Sequence, residues 1–469
     1  MTERTSKLFP LTLLTLTALV SAPALAAPDS QPVNDALNRL EVLYDGMLPW
    51  VAELYDPESG GFYESLGLKK KLEPKDYGPD IQSTHNCFSF IRQSDQYAKM
   101  PEAFREKLIH YFQSRQDPKT GYFVDPDYPD MWDNQRVLGR ALSFCTASLR
   151  VLGAKPLYPL PGESAAPAKS QGSSATQSAG SKSSGNGKAG AAQVNAQPSK
   201  QIYRVPSTVA ESAAAESSTP DNVYRVPSVA DLDMSSVPPH LVSAEAMRAW
   251  MDERPWEHAW TAVDNIQSQS TLIKTLPEPL QTQIVDEVIR YISERQEADT
   301  GYVGGGDDAV RLSGAFKLVL FCRAVKRPIP AADKIQATVI EWLQSGSATD
   351  RIFFIRNACD MLNMLIKQTG NELTEEELVS VIEFGVRELS RFHQDDGGFC
   401  SFTYGNFVSP NDLYLGKNSI PATAGPQSDV NGTRMAIAAR DALYGLAGKK
   451  APKLHMDGFW EACLNTPVY

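Results

Sequence analysis

The amino-acid sequence predicts an all-α fold made of repeated two-helix units. One glycine-rich turn recurs at Gln116–Phe123 (QDPKTGYF), Gln296–Val303 (QEADTGYV) and Gln394–Phe399 (QDDGGF), with a looser copy at Asp56–Tyr63 (DPESGGFY). The three closer copies each follow a helical run and precede an aspartate that opens a second one. Alternating β patterns are nearly absent. Because one unit cannot bury its own apolar face, a solenoid or ring of stacked helices is expected.

The second half of the unit also repeats. Asp133–Gly139 (DNQRVLG) matches Asp308–Gly314 (DAVRLSG), and Asp80–Thr84 matches Asp429–Thr433. The turn glycines are expected to adopt positive φ, and the aspartates to cap the following helices. The threonine or glycine that follows would let these helices approach closely.

The beginning of the chain is expected to be a signal peptide, residues 1–26. Lys7 ends a weakly basic start, Leu8–Val20 is a short apolar core, and Ala24–Ala26 is a small-x-small cleavage site. The predicted location is periplasmic or secreted, without a membrane span. The net charge of -11 disfavours nucleic acid and anionic membranes as partners.

Cysteine usage leaves the redox state open. The chain has 6 cysteines, mostly inside apolar helical runs, and no CxxC pair. Buried free thiols are favoured over disulfides, although export permits disulfides.

The first part of the fold is predicted to cover residues 33–158. A helical run at Val33–Tyr55 is bent or divided by Pro49, and Lys69–Lys71 looks like a solvated surface cluster. The helices expected after the first turn begin at Asp80 and span Pro101–Ser114 and Asp133–Leu152.

Residues 159–240 are predicted to be a disordered linker. They are rich in Ser, Ala and Gly and contain few large apolar residues. Within them Tyr203–Ser207 (YRVPS) recurs as Tyr224–Ser228. The repeat is either a duplicated low-complexity segment or a short docking element for a protein partner or for the chain's own surface.

The second part of the fold is predicted to cover residues 241–469. Thr374 and Glu377 form a capping box before one of its helices. The expected helices are Met247–Trp250, Asp264–Leu276, Leu280–Gln296, Asp308–Val325, Ala331–Leu343, Arg356–Lys367, Glu375–Phe392 and Asp429–Leu446.

The repeated unit resembles the α/α toroid of terpenoid cyclases and protein prenyltransferases. The best fit is Gln394–Phe399 followed by Ser428–Thr433 and a helix rich in alanine and leucine. The resemblance covers about Leu37–Ala154 and Met247–Gly448. It implies one α/α toroid interrupted by the linker.

The catalytic motifs implied by that resemblance are missing. The sequence has no Asp-x-Asp-Asp string and no DDxxD string. Asp396 with Cys400, and Cys359 with Asp360, do not have the spacing of the prenyltransferase zinc ligands. Cyclisation and prenyl transfer are therefore disfavoured, and no metal or cofactor is expected.

A ring of helices would present the N-termini of its inner helices at one face, where a cavity opens. Two interpretations of the polar residues there stay open. Either the aspartates are N-caps and the arginines form local ion pairs three residues away, or the set forms a funnel for a polar ligand such as a sugar. The residues concerned are Gln82, Asp133, Arg136, Asp308, Arg311, Asp429 and Arg434.

Two histidines are candidate acid/base groups. His85 lies on an inner helix, and His258 lies in the segment WEHAW. Glu257, Asp133 and Asp308 are the candidate carboxylates. For each histidine taken alone, a packed core or interface residue is the favoured interpretation.

The aromatic residues near these positions also have two interpretations. Trp256 and Trp260, four residues apart, form either a sugar platform or core packing. Tyr404, Phe407 and Tyr414 precede the last strong helix and either line a mouth or pack on the surface.

The favoured functional hypothesis is an exported protein that binds a polar, glycan-like ligand in its central cavity. A polysaccharide lyase or hydrolase that uses the cavity His, Glu and Asp residues is the alternative. A terpenoid or prenyl-lipid enzyme is the third. The sequence contains no nucleophile elbow, phosphate loop, HExxH or EF-hand string.

Overall fold

The regular secondary structure of the chain is helical in the part that the computed structural model describes, which comprises residues 30–73, 77–133, 135–161, 237–407 and 426–467. Strands do not occur within these ranges, where only isolated β-bridges form. The all-α prediction is confirmed. The predicted signal peptide, both YRVPS copies and Tyr414 lie outside the described residues.

The first part of the fold contains six helices among the described residues. The predicted run Val33–Tyr55 is divided at residues 43–46, before Pro49 rather than at it. Pro49 lies in the first turn of the second helix, where its missing N–H leaves no hydrogen bond unmade. The helices are α1 Gln31–Val42, α2 Met47–Leu54, α3 Leu66–Lys69, α4 Ile81–Gln93, α5 Glu102–Ser114 and α6 Gln135–Val151.

The prediction that Lys69–Lys71 is a solvated surface cluster is wrong for Lys69. Its side chain is buried, and its Nζ donates to the backbone carbonyls of Glu53 (2.8 Å) and Tyr55 (2.7 Å) at the end of α2. Burial lowers the pKa of Lys69 to about 8. Lys69 therefore closes a helix end instead of facing water.

The second part of the fold begins before its predicted start. Residues 237–240 belong to the fold, and His240 stacks on Trp250 with 4.7 Å between ring centroids. The Thr374–Glu377 capping box is confirmed. The helices are α7 Ala244–Asp252, α8 Ala259–Ser268, α9 Ser270–Ile273, α10 Leu280–Ser293, α11 Asp308–Val325, α12 Ala332–Gln344, α13 Ile352–Thr369, α14 Glu375–Ser390, α15 Val430–Leu446 and α16 Phe459–Leu464.

Six helices, called the inner helices below, pack side by side in the order α8, α11, α13, α15, α4, α6. The row curves, since Trp260 of α8 reaches Phe353 of α13, past α11, with 5.5 Å between ring centroids. Other helices pack against the outside of this row: α5 on α6, α12 on α13 and α14 on α15. The first and second parts of the chain meet where α15 packs on α4, where α14 packs on α1 and where α16 packs on α2.

The glycine-rich turns precede inner helices and share their backbone geometry. Gly60, Gly121, Gly301 and Gly397 all have positive φ, as predicted. In the second turn, the Gln116 side chain donates to the carbonyls of Gly121 (3.1 Å) and Tyr158 (2.9 Å). The glutamine therefore fixes the turn to the segment that follows the next helix.

Each turn also ties one inner helix to the next. The residue two places after the turn's Phe or Val receives a hydrogen bond from the first residue of the neighbouring inner helix. The pairs are Val430 N to Glu64 O (2.9 Å), Ile81 N to Asp125 Oδ2 (2.9 Å), Ala259 N to Gly305 O (2.8 Å) and Ile352 N to Ser401 O (3.2 Å). These contacts join the inner helices at their N-terminal ends.

The threonine of the Asp-x-x-x-Thr pattern forms a hydrogen bond with the glycine-rich turn that precedes it. The hydroxyl of Thr84 accepts from Phe62 N at 3.0 Å, and that of Thr433 accepts from Phe399 N at 3.1 Å. A Cβ at Gly432 would lie 2.5 Å from the carbonyl carbon of Cys400, so close approach requires this glycine.

The six cysteines are free and buried, which confirms the preferred prediction. Burial raises the pKa of each thiol whose shift is resolved, Cys87 and Cys145 among them. In the described ranges, no helix combines the length and the hydropathy needed to cross a membrane.

Candidate functional site

Side chains cap the N-termini of α4, α8, α11 and α15, as the sequence predicts for Asp80 and Asp429, whereas α13 begins after Arg351 without a side-chain cap. Asp80 accepts from Ser83 N at 2.8 Å, and Asp429 accepts from Gly432 N at 2.6 Å. For α11 the prediction is wrong by one residue. Asp307 accepts from Val310 N at 2.8 Å and is the cap, whereas Asp308 is exposed.

The predicted Asp–Arg pairs have different outcomes. Arg311 forms its ion pair with Glu297 of the preceding turn, not with Asp308, and its guanidinium lies 5.4 Å from the Tyr302 ring centroid. Arg311 therefore holds the turn against α11. Asp133 is exposed in a 3-10 turn before α6, and the Arg136 side chain lies outside the described part of the chain.

Four buried carboxyl groups meet near the N-termini of α4 and α15. This group, called the acid junction, consists of Glu64, Asp80, Asp125 and Asp429, each at most 1 % exposed. Glu64 Oε1 accepts from Asn431 N at 3.1 Å, and Asp429 accepts from Ser401 N at 2.7 Å. Asp125 accepts from Ile81 N and lies 3.5 Å from the Arg115 guanidinium.

The hydrogen bonds of Ser83 require a protonated carboxyl group in the acid junction. Its Oγ lies 2.6 Å from Glu64 Oε2 and 2.5 Å from Asp80 Oδ2. A hydroxyl has one hydrogen, so it can donate to only one of these oxygens and must accept from the other. Asp80 also accepts from Ser83 N, as an ionised cap does. Glu64 likewise accepts from Asn431 N through its other oxygen, so the geometry requires one proton between the two carboxyl groups, and the more strongly raised pKa of Glu64 places it there.

The pKa shifts in the acid junction also favour a protonated Glu64. Burial, with the charges of Asp429 and Asp80, holds the pKa of Glu64 well above its usual range. Burial also raises the pKa of Asp80 to about 6 and that of Asp429 to about 7, against hydrogen bonds that lower both. The pKa of Asp125 is raised by burial and by Asp80.

Polar residues recur on one side of three neighbouring inner helices. Counted from the N-cap, the second residue is Gln82, Asn431 or Phe353, and the fifth is His85, Arg434 or Arg356. These positions lie about one helical turn apart and share a face. This face is called the inner face below, and the name includes Ser148, which contacts His85, and the contacting pairs Asn357–Ser313 and Lys317–Asp264 on the neighbouring helices.

His85 is held in a neutral form on the inner face. Its Nδ1 lies 2.9 Å from Ser148 Oγ, and its ring stacks on Phe144 with 4.6 Å between centroids. Burial and the positive charge of Arg434 lower the pKa of His85 to about 4. At neutral pH this imidazole is uncharged and can both donate and accept one hydrogen bond.

The inner face joins α8, α11 and α13 through polar contacts. Lys317 Nζ lies 2.7 Å from Asp264 Oδ1, and Asn357 Nδ2 donates to Ser313 Oγ at 3.2 Å. Arg356 lies 2.9 Å from Asp360, so two of the cations have carboxylate neighbours. Asp264 was predicted to open a helix but lies inside α8, where it pairs across the inner face.

The WEHAW segment does not form the predicted helical pair of tryptophans. Helix α8 begins at Ala259, and His258 caps it: Nδ1 accepts from Thr261 N at 3.3 Å. Trp256 lies before the helix and contacts Tyr291, with 5.7 Å between ring centroids. Glu257 and His258 are exposed, so these two candidates are not brought together with His85.

Aromatic residues gather at the N-terminal end of α8 and α13. Trp260 contacts Phe353 and Phe354, at 5.5 and 5.9 Å between ring centroids. Phe402 stacks with Tyr404 at 5.3 Å, and Tyr404 is 50 % exposed. Phe407 is buried against Phe402, at 4.9 Å. One exposed ring thus borders a packed aromatic cluster.

Comparison with known proteins gives no relative to guide the assignment. No family model, no curated protein and no solved structure matches the chain. In the part of the chain that the structure describes, no three His, Cys, Asp or Glu side chains are placed to hold a metal ion.

Proposed function

We propose that the chain is a binding protein whose inner face takes a polar, glycan-like ligand outside the cytoplasm. The observation that carries the proposal is the polar fifth residue of α4, α15 and α13, joined by a polar second residue on α4 and α15. Buried helix faces are normally apolar, and burying polar groups costs free energy unless they have partners. A polar ligand supplies such partners.

The same proposal includes the architecture. The curved row of inner helices, with outer helices packed against it, is compatible with the α/α toroid of the terpenoid cyclases and protein prenyltransferases. In that arrangement the inner face would enclose the cavity. The aromatic cluster around Trp260 and Tyr404 would border its N-terminal opening, where sugar rings can stack.

The enzymatic alternatives have less support. A lyase or hydrolase needs an acid and a base near each other, yet Glu257 and His258 are exposed and His258 is used as a cap. With a pKa of about 4, His85 is a weak base at neutral pH. A terpenoid enzyme would need an apolar cavity, whereas the inner face is polar.

A thermal-shift experiment tests the proposal, because a ligand of the folded state raises the melting temperature. The probes are cellopentaose, chitopentaose, pentagalacturonic acid and a polyprenyl phosphate. We expect at least one saccharide to raise the melting temperature of the wild type. Arg434→Met should weaken the apparent affinity for that saccharide at least tenfold. Arg290→Met on α10, which packs against α7 and α9, is the matched control and should leave the apparent affinity unchanged. Equal loss in both variants, or a response to the lipid alone, would overturn the proposal.

A further inference from the structure

The proposed function gives no role to the repeated segment YRVPS. Its two copies, Tyr203–Ser207 and Tyr224–Ser228, lie in residues 162–236, outside the described part of the chain. They contain every tyrosine and every arginine of those residues. Tyrosine and arginine are, with tryptophan, the residues that most often carry binding energy at protein interfaces. The repeat therefore has the composition of a recognition element rather than of a spacer.

A surface notch of about 320 Å³ lies between the end of α7 and the third glycine-rich turn. It is called the Trp256 notch and is lined by Asp252, Trp256, Tyr291, Arg295, Val303 and Gly304. The indole N–H of Trp256 donates to the Met251 carbonyl at 2.8 Å, which fixes the ring, and the side chain is half-buried. A fixed and partly open aromatic ring in a notch suits a proline side chain, as in the aromatic grooves that bind proline segments.

The first part of the fold shows what an equivalent pair of residues contacts. Tyr111 and Arg115 precede the second glycine-rich turn, and both donate to the carbonyl of Pro79, at 2.9 and 3.4 Å. Tyr291 and Arg295 have the same positions before the third turn, but they donate to a carboxylate, at 2.8 and 3.1 Å. A proline segment thus fits against such a pair, and the Trp256 notch leaves room for one beside the second pair.

The most exposed charges at the Trp256 notch are acidic. The side chains of Asp252 and Glu253 are 54 % and 74 % exposed. The neighbouring arginines are more covered, with Arg254 at 20 % and Arg295 at 36 %, and both lie over aromatic rings. Asp252 accepts from the Tyr–Arg pair through Oδ1, so its Oδ2 can accept from a further cation. The arginine of a YRVPS copy would supply that cation.

The second copy of YRVPS has a short tether to the Trp256 notch. Ser228, its last residue, precedes Val237 by nine residues, and the described chain resumes at Val237. An extended chain of that length spans about 30 Å. The resumed chain lies beside α7, because His240 stacks on Trp250, two residues before Asp252. Such a tether gives the second copy a high effective concentration at the notch.

We infer that Tyr224–Ser228 docks in the Trp256 notch of its own chain, with Pro227 on the Trp256 ring and Arg225 on Asp252 Oδ2. The residue before a proline favours extended backbone, which is the form that aromatic grooves bind. This docking does not depend on ligand binding at the inner face. It gives the repeated segment a binding site in the second part of the fold.

Photo-crosslinking of the full chain tests the docking. The photoreactive residue p-benzoylphenylalanine replaces Val226 in one protein and Val205, the same place in the first copy, in the matched control. We expect position 226 to crosslink within a monomer to peptides that contain Asp252–Trp256 or Tyr291–Gly304. Because the first copy has a longer tether, the yield from position 226 should be about fivefold higher than from position 205, or more.

A pair of linker variants tests the contacts without touching the described fold. Arg225→Glu combined with Pro227→Ser places a negative charge opposite Asp252 and removes the ring that stacks on Trp256. We expect the yield from position 226 to fall about fivefold or more. The same two changes in the first copy, Arg204→Glu with Pro206→Ser, are the matched control and should leave that yield unchanged.

Every other result would overturn the inference. Equal yields from both positions, spread over many peptides, would show that the second copy has no preferred site. Crosslinks from position 205 alone would make the first copy the occupant. Crosslinks to the same peptides between two chains, seen as a covalent dimer, would show binding to a second copy of the protein. An unchanged yield in the second-copy variant would show that Arg225 and Pro227 do not make the contact.

Discussion

Glu64→Gln is expected to remove about 2 kcal/mol of the loss of stability that the wild-type chain shows between about pH 6.5 and about pH 8. Glutamine reproduces the protonated carboxyl group: its Oε1 can accept from Asn431 N, and its Nε2 can donate to Ser83 Oγ. The variant should therefore fold and keep the contact between α4 and α15.

The sign follows from the raised pKa of Glu64. Its folded-state pKa lies well above the usual 4.5, so the folded chain keeps a proton that the unfolded chain releases. The stability from this proton is present at low pH and falls as pH rises, by about 1.4 kcal/mol per pH unit. Across the window the two chains should diverge by about 2 kcal/mol, until Glu64 itself ionises.

The other titrating groups either act mainly outside this pH window or are common to the wild type and the variant. His85, with its pKa lowered from 6.5 to about 4, has the opposite sign and acts below it. Lys69, with a pKa of about 8, acts above it. Asp80, Asp125, Asp429 and the nearby Arg115 are common to both chains. Urea unfolding at several pH values measures the slopes, and equal slopes would show that Glu64 carries no proton.

Asp429→Ala is expected to destabilise the chain by about 3–5 kcal/mol, enough to unfold much of it. The carboxylate accepts from Gly432 N (2.6 Å), from Ser401 N (2.7 Å) and from Ser401 Oγ (2.8 Å), and all three donors are buried. Removing it leaves several buried donors without an acceptor and also removes the cap of α15.

Asp117→Ala is the matched control for this substitution. Asp117 accepts from Thr120 N at 2.8 Å in the second glycine-rich turn, where water can replace it. Its loss should destabilise the chain far less than the loss of Asp429 does. Urea unfolding of both variants measures the difference, and similar losses would mean that the acid junction contributes no more than an exposed turn does.

Much of the helical fold could be predicted because its signals are local. Pro101 before Glu102, Thr374 with Glu377, and the aspartates at positions 80 and 429 mark helix starts within a few residues of the chain itself. The start of α8 was missed because a histidine caps it, and histidine is an uncommon N-cap.

The acid junction could not be predicted in the same way. Glu64 and Asp125 follow the turns in non-helical segments that look like polar loops. Their partners are distant: Glu64 bonds Asn431, 367 residues away. The one available signal was the register of the turns, which places both acids two residues after the turn's phenylalanine.

The residues of the inner face could be predicted from the sequence only in part. Arg434 and Gln82 were found because their helices begin at recognisable aspartates. Arg356 and Asn357 were missed, since α13 starts at Ile352 after Arg351, whose side chain accepts no hydrogen bond from the first turn. Aligning the helices by their observed N-caps recovers the shared register.

Hydrogen exchange of the full chain, with and without the saccharide that raises its melting temperature most, tests the central claim most directly. Ligand bound on the inner face should slow exchange in the first turns of α4, α13 and α15, where buried amides open least often. Helices α5, α10 and α12 should change little. Slower exchange confined to those three helices, or none in α4, α13 and α15, would contradict ligand binding on the inner face.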